Sequence, residues 1–292
     1  MSTRRTCLLL LVALAGCAPA PPAIAPDPPE FTAHDSLLGT DPTPLSTPLS
    51  LGNAVADDLA WNLVVTETVS LQAKDTVSNA QVERRVRVEG APDDQGGLTF
   101  TLSRGQVFTG PTHPSWLASQ AELLNGIQLS MTRTAEMTTV TLPEDLAPVI
   151  APHVRSIGLA LQLLMPPLLP ETISPDSTWT LDSEAPTRTT RTIRPLGTTP
   201  CDDRECLVLA SAVSLSETRD ESNDTHQVSA IGKGRGQAIV RIGIRTGIPV
   251  SGRMNYNVKT EIIARGEKLQ ATTLSQTRQV EVSLRNDKDR PR

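Results

Sequence analysis

Apolar residues occupy every second position over a long stretch near the carboxyl terminus, and this most constrains the fold. Ala238, Val240, Ile242 and Ile244 share one phase, while Arg241 and Arg245 fall in the other. After Arg245-Thr246-Gly247 the same phase resumes with Ile248, Val250, Met254, Tyr256, Val258 and Ile262. A period of two is the repeat of a pleated strand with one buried face, so both arms present the same side to a core. A three-residue loop ending in glycine suits a type I turn with a left-handed third position, which places Ile244 opposite Ile248. The second arm is long for a strand, and long strands twist, so the expected sheet is curved or barrel-like.

Shorter runs agree. Trp61, Leu63, Val65, Val69 and Leu71 alternate in the same way, broken only by Glu67. Val82, Val86 and Val88 form another such run, as do Leu98, Phe100 and Leu102. One segment departs from the pattern. From Glu144 to Met165, Leu146, Ile150, Val154, Ile157, Leu161 and Leu164 recur at helical spacing, the stripe of an amphipathic helix packed on a sheet. Thr141 and Glu144 have the spacing of a capping box, Pro148 and Pro152 move the regular start toward Pro152, and Pro166-Pro167 ends the helix. A second short helix is expected from Ser115 to Leu124. The fold class is therefore mainly β, a β-rich α+β arrangement with a curved antiparallel sheet and one central helix.

The amino terminus carries the only processing signal. Arg4 and Arg5 precede the apolar stretch Leu8 to Leu14, which is too short to span a bilayer as a stable helix, and Leu14-Ala15-Gly16-Cys17 follows. This resembles the lipobox of bacterial lipoproteins. The resemblance implies cleavage between Gly16 and Cys17 and acylation of Cys17, which anchors the chain to a membrane, since multiple acyl chains hold where one does not. In lipoproteins of this kind the residue after the cysteine helps sort between membranes, so the resemblance, with Ala18 in place of a retention aspartate, implies the outer membrane of the cell envelope. Residues 17–50 are rich in proline and read as a tether, with TPLSTPLS as spacer. The parts are then a signal at 1–16, the tether at 17–50, a β-rich domain at 51–284 and a charged tail at 285–292.

The stretch from Ala121 to Leu181, with its leucine-rich helix, proline-rich turn and Ser174-Pro175-Asp176-Ser177-Thr178-Trp179 strand start, is similar to a recurring arrangement in uncharacterised bacterial envelope lipoproteins. Proline stands where those chains carry glycine. The similarity implies a fold and no chemistry. Trp61 and Trp179 each open a run of strands, and Gly126-Ile127-Gln128-Leu129-Ser130 echoes Gly247-Ile248-Pro249-Val250-Ser251. One reading is two related halves, 51–142 and 174–284, joined by the helix at 144–165; the other is chance.

Removing the signal takes away Arg4 and Arg5, so 27 − 2 = 25 basic residues face 32 acidic ones. A mildly acidic chain without a basic stripe interleaved with aromatics is not built to bind nucleic acid. Cys201 and Cys206, with four residues between them, read as a disulfide in an oxidising compartment. A metal site adding Asp202, Asp203 and His226 is the weaker reading, because no second ligand pair accompanies them. His34, His113, His153 and His226 are isolated and read as solvated or locally hydrogen-bonded. Gly232-Lys233-Gly234-Arg235-Gly236 lacks phosphate-loop spacing and reads as a bulge or turn. No nucleophile elbow or metalloprotease motif occurs, so neither catalytic residues nor a cofactor or metal are assigned. Two functions fit: a non-catalytic carrier of a lipid or other apolar ligand, or a structural lipoprotein engaging another envelope protein.

Overall fold

A computed structural model describes residues 41–52, 59–74, 76–92, 97–110, 121–184, 187–201, 204–222, 226–266 and 269–286. Its first strands are β1 (Leu49–Ser50), β2 (Leu59–Ala73), β3 (Thr76–Pro92), β4 (Leu98–Thr109), β5 (Gln128–Arg133) and β6 (Thr138–Thr141), followed by the helix α1 (Ala151–Leu164). Then come β7 (Thr172–Ile173), β8 (Trp179–Ser183), β9 (Arg188–Cys201), β10 (Arg204–Ser222), β11 (His226–Gly243), β12 (Pro249–Gly266) and β13 (Leu269–Asn286).

All but β1 and β7 join one eleven-stranded sheet, ordered β6-β5-β4-β3-β2-β13-β12-β11-β10-β9-β8. Two meanders meet where the last strand, β13, pairs antiparallel with β2. The sheet coils until its edges almost meet, with the Thr139 hydroxyl of β6 3.4 Å from that of Ser183 on β8. The curved, barrel-like β body expected from the long alternations is what forms. The repeat-like markers fall on strands of different rank: Trp61 lies in mid-sheet on β2, Trp179 on the edge strand β8.

The inward rows are those in the apolar phase. Leu63 and Val65, Phe100 and Leu102, Val240 and Ile242, Met254 and Val258, and Val282 and Leu284 are all buried. Each such side chain contributes roughly 1.5–3 kcal/mol on transfer from water. Trp61 packs edge-on against Phe100, with ring centroids 6.1 Å apart. Its indole Nε1 donates to the Pro249 carbonyl at 2.8 Å, so the large apolar ring is buried without orphaning its polar atom.

The helix α1 fills the upper part of the coil. Val154, Ile157, Leu161 and Leu164 are buried as the stripe predicts, but Leu159, Ala160 and Leu163 are buried too. It is enclosed nearly all round rather than laid on a sheet by one face. It starts at Ala151, with proline in its first turn, and Ile150 is the N-cap without a side-chain cap bond. The Thr141–Glu144 capping box is therefore not made, because Thr141 is held in β6 opposite Ser130. The other end is capped from the sheet. Arg191 Nη1 donates to the Gln162 and Leu163 carbonyls at 3.0 and 2.6 Å, and its Nη2 to that of Met165 at 2.8 Å. Arg133 donates to the Pro166 and Pro167 carbonyls at 3.0 and 3.1 Å. These cations satisfy carbonyls the helix leaves open and complement its dipole. Burial pulls Arg191 down to about 9, with the Arg133 charge adding, and burial pulls Arg133 down to about 10.

Two local expectations are corrected. The β11–β12 turn has Gly247 in the left-handed region, φ +64°, but Gly243 rather than Ile244 stands opposite Ile248, donating to its carbonyl at 3.0 Å. A register shift between Arg241 and Ile242 restores the common phase of the two arms. Gly232, Gly234 and Gly236 form neither bulge nor turn; they are paired without interruption inside β11. Tyr256 lies across Gly236, and a Cβ on Gly234 would stand 2.8 Å from Val258 Cγ2. Missing side chains thus make room for β12, which lets the sheet coil tightly.

Cys201 and Cys206 form a disulfide, Cα atoms 5.7 Å apart, across the β9–β10 hairpin. The end of the proline-rich stretch, read as tether, is docked on the body. Thr43 and Thr198 exchange backbone hydrogen bonds of 2.8 Å, β1 pairs with β7, and Leu45 and Leu49 of TPLSTPLS pack on the core. Leu51 and Gly52 donate to the Glu171 and Ile244 carbonyls, both at 2.7 Å, covering the upper end. Most of the short helix expected at 115–124 and most of the tail lie outside the described residues.

Candidate functional site

Strand lengths divide the sheet into two zones. β4 last pairs with β3 at Val82–Thr109, and β9 last pairs with β10 at Ser216–Arg188. Beyond those pairs β3, β2, β13, β12, β11 and β10 continue as an open trough. Its concave side carries aliphatic residues interrupted by polar ones, since Leu71 stands between Ser78 and Gln276, Thr260 stands opposite Gln276, and Arg219 stands opposite Ala230. Val69 faces Ala80, Ile262 faces Leu274 on one side and Ala230 on the other, and Ala264 faces Val228. The intervening convex positions are polar: Ser70 and Gln72, Thr273, Ser275 and Thr277, Lys259 and Glu261. Above the boundary Leu63 and Val65 are buried; below it Val69, Leu71 and Leu274 are only half-buried.

A belt of charge lies at the boundary. Arg84 of β3 donates through Nε to His153 Nδ1 of α1 at 2.9 Å and through Nη1 to Glu67 Oε2 of β2 at 2.9 Å. Arg278 of β13 stands with Nε 3.9 Å from Glu67 Oε1, and its Nη2 donates to Glu217 Oε1 of β10. The Arg84 side chain is 4 % exposed, whereas Glu67, Glu217 and Arg278 are 14, 15 and 21 % exposed. Above them the inward positions Val65, Val280, Met254 and Tyr256 are closed. What exposure the belt has is therefore toward the trough.

Its electrostatics follow from this placement. Burial pushes the Glu67 carboxyl up, but the Arg84 and Arg278 charges and the Arg84 hydrogen bond outweigh it, so its pKa is lowered. Burial drives His153 down to about 4, with the Arg84 charge adding and Glu67 opposing. The imidazole is therefore neutral at pH 7, as a ring accepting from a guanidinium must be. Burial would lower Arg278, but Glu217, Tyr256 and Glu67 hold it above its ordinary value. Burial raises Tyr256, so it stays a neutral phenol. Two hydrogen-bonded ion pairs, Arg84–Glu67 and Arg278–Glu217, form a net-neutral group joined by the 3.9 Å Coulombic contact of Arg278 with Glu67. The arrangement can receive the polar end of a ligand and shows no nucleophile paired with a base.

Of the residues singled out from sequence, Gly16, Cys17, His34 and His113 lie outside the described residues. The backbone of His226 opens β11. Cys201 and Cys206 are joined, and the disulfide consumes both thiols that a metal reading needed. Asp202 and Asp203 are outside the described residues, and no metal-binding cluster occurs among those described. The His153 side chain is neither solvated nor bonded to its sequence neighbours, because the fold buries it and brings Arg84, 69 positions away, to donate to it. Sequence reasoning missed Glu67, Arg84, Glu217 and Arg278. Their signal was phase: Glu67 interrupts the β2 alternation, and Arg84 sits in the row of Val82, Val86 and Val88.

No family model matches the chain, nor does any curated protein. Similar solved structures include one on lipid–protein interactions in lipovitellin, with TM-score 0.42 and 10% identity over 80% of this chain and 26% of that one. The chain thus spans about a quarter of that lipovitellin chain. Others are Pseudomonas aeruginosa OccK2 (OpdF), with TM-score 0.23 and 5% identity over 82% of this chain and 100% of that one, and a DUF1329 family protein from Desulfovibrio piger, with TM-score 0.14 and 9% identity over 81% and 88%. At these scores the likenesses assign neither fold nor function.

Proposed function

We propose that the chain is a lipid-anchored bacterial envelope lipoprotein, held at the outer membrane through Cys17, whose trough binds an apolar ligand such as a lipid acyl chain without catalysing a reaction. The observation that carries this is the set of aliphatic side chains that the long strands continue on the concave side beyond α1, of which Val69, Leu71 and Leu274 are only half-buried among polar neighbours. Soluble proteins seldom leave a contiguous apolar surface uncovered unless something docks on it. The convex face supports a body outside the bilayer: Arg253, Asn255, Asn257, Lys259 and Glu261 form the outward row of β12, whereas a spanning strand carries apolar residues there. The belt ends the apolar lining, so a ligand's tail would lie in the trough and its polar end would meet Glu67, Glu217 and Arg278.

Native mass spectrometry of the protein extracted from envelopes tests both halves of the proposal. A diacyl or triacyl increment on a chain beginning at Cys17, and a second, non-covalent lipid mass lost in Leu71→Asp/Ile262→Asp, are the expected results. A protein free of any bound lipid would remove the carrier reading. A second reading, an assembly lipoprotein, is favoured by the β3 edge. Residues 76–81 are uncharged, lie beyond the last β4 pair and leave Val77 58% exposed, a surface suited to accepting a strand from a partner. Crosslinking from Val77 to another envelope protein, with no lipid bound, would support it instead.

A further inference from the structure

The outward face of β9 to β12 carries a charge that the overall composition conceals. The chain is acidic, with net charge −5. Yet Arg188 and Arg194 on β9, Lys233 and Arg235 on β11, and Arg253 and Lys259 on β12 all fall in the outward phase, brought side by side by the register. All but the half-buried Arg188 are exposed. The outward residues of β10 between them, Val208, Ala210, Ala212, Ser214 and Ser216, are small and buried by their neighbours. No acidic residue occupies the outward phase of these four strands across the same rows; Glu261 is the next outward position along β12, and Asp182 of β8 and Glu281 of β13 stand opposite Thr190 and Asn255 at the two borders. The result is a cationic wall on the convex side, with its flanking side chains long and its centre low.

The amino-terminal segment joins the body beside this wall. Thr43 pairs with Thr198 of β9, and the next β9 residue, Gly197, stands opposite Val208, which in turn stands opposite Arg241. The chain from Cys17 to Thr43 can span on the order of 80 Å when extended, so a lipid at Cys17 does not by itself specify which face of the body meets the membrane. A cationic face next to the attachment point specifies it when the surface below is anionic. Each lysine or arginine near such a surface contributes about fivefold in binding, and the attraction decays within a Debye length.

We propose that the outward face of β9–β12 is a docking surface for an anionic phospholipid membrane, and that it orients the body against the leaflet carrying the anchor. The orientation rests on the lipid-anchor reading; the affinity of the wall does not, and the test separates them. The chain from Ala18 onward, which retains every described residue and lacks the acylated cysteine, is floated with vesicles of phosphatidylcholine alone or with one-third phosphatidylglycerol. Binding is expected only to the anionic vesicles, and it falls steeply with added salt. Lys233→Gln/Arg235→Gln/Arg253→Gln/Lys259→Gln should weaken it on the order of 100-fold or more. Lys233→Arg/Lys259→Arg should keep it, and Arg85→Gln/Arg87→Gln on the far wall should change it less than twofold. Equal binding to phosphatidylcholine, an equal loss from the far-wall pair, or capture of dextran sulfate without vesicle binding would each overturn the proposal. Leu71→Asp/Ile262→Asp should float like wild type while losing its trough ligand, so failure of the carrier reading and failure of the wall are told apart.

Discussion

β2 and β13 each cross two environments, whereas the apolar inward residues of β12 stay buried as far as Ile262. In the upper zone Leu63 and Val282 are sealed under α1 and the coiled sheet; further along, Val69, Leu71 and Leu274 keep the same phase and are only half-buried. The difference teaches that alternation fixes which face is apolar and leaves open whether anything covers it. Cover comes from elements distant in sequence: α1, the β1–β7 pair and the 43–52 segment. The charged belt is the seam between the zones.

The largest expected effect lies at that seam. Arg278→Met leaves Glu67 and Glu217 buried without their shared cation, and should cost about 3–5 kcal/mol of unfolding free energy in urea titration. If it costs less than a surface substitution, the seam is not an electrostatic unit. Leu164→Ala, in the filled zone, should cost about 2–5 kcal/mol by the same measurement, through lost transfer energy and a residual cavity.

Acid should act through His153. Its pKa is near 4 in the folded protein against 6.5 in the unfolded chain, so the unfolded chain takes the proton first. Stability is fully present above pH 6.5 and is lost as pH falls from 6.5 toward 4, on the order of 3 kcal/mol. Glu67, also lowered, continues the loss below the ordinary carboxylate value of 4.5. His153→Gln should flatten the upper window while keeping an acceptor for Arg84, and an unchanged slope in pH-dependent melting would exclude the imidazole as its source.

Cys201→Ser/Cys206→Ser should cost about 1–2 kcal/mol, because the closed loop is short. The smallest effect is expected in the trough. Leu71→Ala should stay within about 1 kcal/mol of wild type while weakening ligand retention in native mass spectra. A loss as large as that of Leu164→Ala would mean that the trough is packed like the upper zone, and the contrast between them would fail.

Much of this architecture is legible in the residues. The phases of β2, β3, β4, β11 and β12, a helix start within one residue of Pro152, the glycine turn at Gly247 and the Cys201–Cys206 pair follow from local rules of pleat, proline geometry and spacing, whereas β9 and β13 carry no alternation read from the sequence. The belt is legible only in part. Glu67 is visible as a break in the β2 alternation, but a single carboxylate out of pattern is equally an edge, a bulge or a solvated residue. Its partners Arg84, Arg278 and Glu217 lie 17, 211 and 150 positions away, and a guanidinium in an inward phase acquires meaning only when a carboxylate stands opposite it. The capping box failed for a related reason: Thr141 had two uses, and pairing with Ser130 in the sheet claimed it.

By itself the sequence determined the period, and the period determined strands with one apolar face, a curved sheet and a helix with an apolar stripe; these are local consequences of backbone geometry. Only the tertiary structure decided that β13 returns beside β2, that α1 enters the coil and that β4 and β9 stop short. Those events juxtapose residues far apart along the chain, and they convert one continuous alternation into a filled core, a charged seam and an open apolar trough. The physical reason is that a pleat specifies the direction of a side chain, whereas burial and ion pairing depend on what the rest of the chain brings to that side.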